Sequence, residues 1–166
     1  HWRGVYRANQ VIAKVPAITM DAILKARYIG EAKFLRALYY YDLVTIWGNV
    51  PLVLLPSVPS DKPSQATQEQ VWSQIEKDLT EAAAALPPSY TGDELGRVTT
   101  GAAYGLLGRV YLQQKKYTQA IDALKWLIEG PGQPLYNLAP NYENNFRHTT
   151  ENNMESVFEV QFKQRP

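Results

Sequence analysis

The sequence predicts an all-α fold: an array of packed helical hairpins, of the α-solenoid type, with long irregular loops and one short C-terminal strand. Three observations carry this reading. Apolar residues recur at helical spacing in five segments, approximately residues 2–15, 21–47, 68–86, 99–114 and 117–129. The stretches between them concentrate Pro, Gly, Ser and Asn, the residues of turns and loops. Only the tail, over residues 156–163, alternates apolar and polar side chains as a strand does.

With 166 residues the chain is long enough for one domain with a real core. It is 45% hydrophobic and 20% charged, which fits a folded globular protein rather than a disordered one. The net charge is +1 and the basic residues are scattered along the helices, so there is no electrostatic case for nucleic acid or an anionic membrane surface. No cysteine is present, which excludes disulfides, iron–sulfur clusters, thiolate zinc sites and a cysteine nucleophile within this chain. The two histidines, His1 and His148, lie far apart and give a metal site nothing to build on, so no cofactor is expected. No apolar run approaches the ~18–20 residues of a membrane helix. The chain opens at His1 without a methionine or signal peptide and stops just past the expected strand. Residues 1–166 are therefore expected to form a single helical region cut from a larger mature protein.

In the first helix, Trp2, Val5, Tyr6, Ile12 and Ala13 share one stripe. Asn9 falls inside that stripe, and a buried amide must find partners, expected here on a neighbouring helix or loop backbone. Pro16 ends the helix. The second helix spans about 40 Å. Thr19 is its expected N-cap, Asp21 suits its first turn, and Gly48 its C-terminal stop. From Ala32 to Trp47 apolar residues cover nearly the whole circumference, the mark of a helix buried on all sides or spanning a membrane. Arg36 and Asp42, the flanking Glu31 and Lys33, and the glycine–proline exit argue against the membrane. Tyr39, Tyr40 and Tyr41 then point about 100° apart into at least two neighbours and cannot form one flat stacking face. Arg36, in an apolar turn, needs a carboxylate or carbonyl partner; Asp78 and Glu76 of the third helix are the candidates.

Pro51, Pro56, Pro59 and Pro63 hold the connection to about Ala66 in extended conformations. A connection of that length is expected to pack on something or to meet a partner. Thr67 and Gln70 have capping-box spacing at the start of the third helix. There Val71, Trp72, Ile75, Leu79, Ala82, Ala83 and Leu86 form one buried face, with Ser73, Lys77 and Glu81 opposite. Pro87-Pro88 closes that helix, and "PPSYTGDELG" reads as a loop.

The last two helices form a tight hairpin. Tyr104, Leu107, Gly108 and Tyr111 match the first half of a tetratricopeptide repeat, with Tyr for Trp; Ala120 and Leu124 match the second half, with Leu for Phe. An interior glycine such as Gly108 costs about 1 kcal/mol in helix propensity. Close approach of two helix backbones offsets that cost. The array is thus expected to be tetratricopeptide-like. Trp126 lies roughly opposite the stripe of its own helix and is expected to pack against Leu135, Tyr136 and Leu138.

Catalytic patterns are absent. No phosphate-cradling glycine loop follows a strand, and neither a G-x-S-x-G elbow nor an H-E-x-x-H pair occurs. Glu31 and Asp42 share a side of the long helix, but eleven residues separate them by ~16 Å. Glycosidase carboxylates sit about 5–9.5 Å apart. No enzymatic activity is expected.

Several stretches, in order and at matching spacings, carry a resemblance over essentially the whole chain. They are "WRGVYRANQVI", "EAKFLRALYYYDLVTIWGNVPLV", "QIEKDLTEAAAAL", "GRVTTGAAYGLLGRVYL" with "KYTQAIDAL", "YNLAPNYENNF" and "ESVFEVQF". Together they resemble the SusD/RagB family. The resemblance implies an outward-facing lipoprotein of the outer membrane of Bacteroidetes-type bacteria. It implies an oligosaccharide or, in some members, a peptide as ligand, and a TonB-dependent β-barrel transporter as partner. Contact with the membrane would run only through a lipid anchor outside this chain. In the starch-binding relatives the aromatic arc that holds sugar comes largely from segments before and after the matched region. This chain is then mainly scaffold, with Arg36, Asn9, Tyr104, Leu107, Gly108, Tyr111 and Ala120 as structural residues. Trp47, Tyr90 and Trp126 are the candidate ligand contacts, because each lies at a helix end, in a loop or off the main stripe. The alternative reading is a generic tetratricopeptide scaffold that binds a protein or peptide in its groove.

Overall fold

The computed structural model describes residues 1–58 and 60–161. Five α-helices follow one another as α1 (Trp2–Lys14), α2 (Ala22–Trp47), α3 (Gln68–Ala85), α4 (Thr100–Gln113) and α5 (Tyr117–Ile128). Each packs mainly on its neighbours in sequence, in the order α1, α2, α3, α4, α5, which is the helical-hairpin stacking of a tetratricopeptide-like array. Between α2 and α3 a minimal antiparallel pair forms, β1 (Val50–Pro51) on β2 (Gln65–Ala66), with Val50 opposite Ala66. It pinches the proline-rich connection at its base and leaves residues 52–58 and 60–64 as a strap. Pro51 is tolerated there because a two-stranded ribbon is all edge.

Local chemistry sets the helix ends. Pro16 sits in a single 3-10 turn, Val15–Ala17, directly after α1. Asp21, not Thr19, caps α2: its carboxylate accepts the Leu24 N–H at 2.8 Å. Two residues closer to the first turn, Asp21 also brings its charge to the positive end of the helix. Gly48 closes α2 at φ +73°, and a Cβ there would meet the Gln68 side chain at 2.8 Å. Thr67 and Gln70 make the full capping box of α3, and Thr99 caps α4 by accepting the Ala102 N–H.

From Gly30 to Val44 no residue of α2 is exposed. No helix among the described residues is long and apolar enough to cross a membrane. The three tyrosines diverge as their spacing demands. Tyr39 lies against α1, where Gly4 leaves it room: a Cβ there would fall 2.1 Å from the ring. Tyr40 is fully buried; its hydroxyl accepts the Val53 N–H at 2.7 Å and donates to the Val53 carbonyl at 3.0 Å. Tyr41 meets Trp72 of α3 edge-on at 5.9 Å and carries the Arg109 guanidinium over its face.

Arg36 is 5% exposed at the centre of this packing. Its guanidinium donates to both oxygens of Asp78, each at 2.7 Å, to Asn9 Oδ1 at 2.9 Å and to the Leu54 carbonyl at 3.3 Å. Asn9, on α1, passes the connection on: its amide donates to the carbonyls of Val53 and Leu55. Gln74 completes the shell by donating to Asp78 Oδ1. Glu76, the other candidate, points to the opposite side of α3, where it accepts from Lys116 and Gln114 at the α4–α5 turn.

In the α4–α5 hairpin, a Cβ on Gly108 would stand 2.6 Å from Leu124. The Leu124 side chain can seat against α4 there because the residue is glycine. Leu107 and Ala120 are buried beside it, while Tyr104 and Tyr111 are half-buried at its edges.

The strand expected over residues 156–163 is not formed over 156–161, and residues 162–163 lie outside the described residues. A strand needs a ladder partner. Here the segment is held by side chains instead, chiefly Phe158, which meets Phe34 of α2 edge-on at 5.1 Å.

Tyr40 gives a direct check of the buried beam. Tyr40→Ala is expected to cost ~3–5 kcal/mol, and at ~2–4 °C per kcal/mol to lower Tm by roughly 10 °C. Tyr40→Phe, which only strands the Val53 N–H and carbonyl, is expected to cost about 1–3 kcal/mol. Thermal melts followed by circular dichroism measure both; an unshifted Tyr40→Ala melt contradicts the packing described.

Candidate ligand-binding surface

Tyr90 stands at the end of a network joining α2 to the α3–α4 loop. Its hydroxyl donates to Glu31 Oε1 at 3.2 Å. Arg97 holds the same carboxylate with two bonds, Nε at 2.9 Å and Nη2 at 2.7 Å. Alongside, Arg27 pairs with Glu94 through both terminal nitrogens and lies over the rings of Tyr28 and Tyr90. Two guanidinium groups thus meet two carboxylates, and the cluster is neutral. Burial raises the Tyr90 phenol to about 12, with the Glu31 charge adding to the effect and Arg27 and Arg97 partly opposing it. Glu31 is therefore an anchor for a loop, and Asp42, the other carboxylate of its helix side, is 3.5 Å from His1 Nδ1.

In front of this network lies a cleft of about 330 Å³ between the α3–α4 loop and the segment around residues 152–159. Its walls carry Tyr90, Arg97, Thr99, Tyr136, Asn152 and Glu159. Gly92 and Gly96, both at positive φ, shape the loop that forms one lip. Of these residues only Tyr90 was a candidate ligand contact in the sequence. The available signal was the pair of glycines bracketing an otherwise aperiodic loop; for Tyr136, Asn152 and Glu159 no local pattern exists, because the chain fold alone brings them here.

Trp126 stacks on Tyr104 of α4, with ring centroids 5.2 Å apart and planes 19° from parallel. The turn after α5 also rests on it: a Cβ on Gly132 would stand 2.6 Å from the indole. Asp122, Lys125 and Glu129 surround the pair in a shallow, open depression. Tyr136, offered by the sequence as a neighbour of Trp126, instead lies over Gly101 and shares a hydrogen bond with the Thr99 hydroxyl at 3.1 Å. Trp47 is 71% exposed at the end of α2, beside exposed Ile46. Tyr90 meets α2 at Glu31, sixteen positions earlier, or about 24 Å along the axis. No described cavity joins any two of Trp47, Tyr90 and Trp126. A further exposed aromatic pair, Tyr142 and Phe146, lies in the 3-10 turn Tyr142–Phe146.

The raised phenol of Tyr90 gives the stability a pH dependence of defined sign. Its folded-state value of about 12 lies above the ordinary value of 10.0, so its contribution is complete below pH ~10 and is lost as pH rises toward ~12. Tyr90→Phe is expected to flatten the fall in unfolding free energy across that window, as measured by denaturant titrations at a series of alkaline pH values. An identical pH slope in the variant contradicts the assignment.

A SusD-like family profile, described as "Starch-binding associating with outer membrane", matches residues 1–112. Among curated proteins, a SusD-like protein of Formosa agariphila is 26% identical over 97% of this chain and 31% of its own length. Among solved structures, a laminarin-binding SusD-like protein superposes with a TM-score of 0.90 at 40% identity, over 96% of this chain and 36% of that one. Surface glycan-binding protein A from Bacteroides thetaiotaomicron, solved in complex with laminarihexaose, gives 0.86 at 30% identity, over 98% of this chain and 34% of that one. The chain spans about a third of the length of these relatives. With a fold shared with such proteins and the profile covering residues 1–112 of 166, the chain belongs to the SusD-like family.

Proposed function

We propose that this chain is the helical scaffold of a non-catalytic, oligosaccharide-binding protein that works at the outward face of an outer membrane with a TonB-dependent transporter. On this reading a lipid anchor elsewhere in the polypeptide holds it there. The observation that carries the proposal is likeness over 96% and 98% of the chain to two solved proteins, one named as laminarin-binding and one in complex with laminarihexaose. Sugar recognition rests on aromatic faces and converging hydrogen-bond groups. Half-buried Tyr90 and Trp126 and exposed Trp47 offer such faces, separately. The scaffold's larger task is to hold the segments beyond residues 1–166 in a fixed arrangement, and the doubly paired Glu31 and the buried Arg36 suit it to that task.

The test is a titration of the full-length protein against laminarihexaose, a wider glycan panel and a peptide mixture, with the recovered ligands analysed for turnover. Saturable glycan binding, with the ligand returned intact, is the expected result. Binding confined to peptides favours the tetratricopeptide-type or peptide-binding alternative and overturns the glycan reading. Turnover that survives purification overturns the non-catalytic one. Affinity capture from detergent-solubilised outer membranes is expected to bring down a β-barrel transporter; capture without one removes that partner.

A further inference from the structure

We propose that the cleft in front of Tyr90 is itself a sugar subsite, taking one end of a neutral oligosaccharide. The inference rests on the glycan-binding reading and places a contact within these 166 residues rather than in the flanking segments. The volume, about 330 Å³, is at the small end of the ~300–1,000 Å³ of ligand clefts, which restricts the occupant to a short or terminal unit.

The lining is two-sided. Leu135, Val157 and Phe158 supply an apolar floor, and Phe158 is fixed by its edge-on contact with Phe34 of the core. Polar groups stand around that floor, and the cation among them is already matched. Arg97 is neutralised by Glu31, so the cleft has no spare cation with which to hold a phosphate or carboxylate. Glu159 accepts the Asn152 N–H through Oε1, leaving the carboxylate with further acceptor capacity. The hydroxyls of Thr99 and Tyr136 are 3.1 Å apart, and only one proton can lie between them. Thr99 Oγ1 already accepts from the Ala102 N–H. The second hydroxyl proton is therefore left for an acceptor other than its neighbour. A ligand hydroxyl answers both demands, accepting at the Thr99–Tyr136 pair and donating toward a carboxylate. An apolar ring face edged by such hydroxyls is the chemistry of a pyranose.

The site is also preorganised. Tyr136 is seated over Gly101, where a Cβ would come within 2.3 Å of its hydroxyl oxygen. Tyr90 is tied to Glu31. Little side-chain freedom remains to be lost on binding.

Two variants fill the cleft without touching the core: Leu95→Trp, at a position 54% exposed, and Ser89→Trp, at another exposed position of the lining. In the full-length protein, laminarihexaose is titrated calorimetrically into wild type and both variants, with thermal melts reporting that each is folded. Each variant is expected to remove one site from the stoichiometry or, where one hexaose also reaches other contacts, to weaken its affinity by about tenfold. A folded variant with wild-type stoichiometry and affinity overturns the subsite while leaving the glycan reading standing. A wild type that binds no glycan overturns both.

Discussion

The buried guanidinium of Arg36 is the constraint on which the rest of this structure depends. A charge that is 5% exposed must be matched where it sits, and the match here comes from three separate parts of the chain. Asp78 supplies the counter-charge from α3, Asn9 a carbonyl from α1, and Leu54 a backbone oxygen from the strap. Any slip of α1 or α3 along α2 leaves a polar group buried without a partner. Apolar packing alone tolerates such slips far better, since dispersion and burial are non-directional. The network therefore fixes the register of helices that hydrophobic contact merely brings together.

The same network explains how the first part of a long, proline-rich connection is held in place. Val53 is gripped at both its N–H and its carbonyl by Tyr40, and the carbonyls of Val53 and Leu55 receive the Asn9 amide. Side chains from α1 and α2 thus do for this strap what a neighbouring strand does in a sheet. The two-residue ladder at its base, Val50–Pro51 on Gln65–Ala66, needs only to close the loop.

Much of this was legible in the residues. The uniform apolar coat of α2, the capping box at Thr67, the glycine at 108 and the misplaced polarity of Asn9 and Arg36 are local signals with local causes. What escaped was decided by three-dimensional neighbours. Glu76 and Asp78 are two positions apart, and only the roll of α3 about its axis determines which one faces Arg36. Thr19 and Asp21 are both competent caps, and the entry path of the chain selects Asp21. The alternation at the tail suggested a strand, but alternation describes side chains and cannot supply a ladder partner. The cleft before Tyr90 was least visible: its walls come from residues some sixty positions apart, and its polarity depends on Glu31 of α2 neutralising Arg97. On the proposed function, a rigid beam with anchored loops holds ligand-bearing segments in a fixed arrangement.

The register of the helices depends on Arg36 and Asp78 acting as one unit. A double-mutant cycle on unfolding free energy, with Arg36→Met, Asp78→Leu and the pair combined, measures this directly. The prediction is that each single change costs ~3–5 kcal/mol by stranding a buried charge, and that the double variant recovers most of that loss. Single changes that each cost less than ~1 kcal/mol and simply add, as exposed ion pairs do, would contradict it.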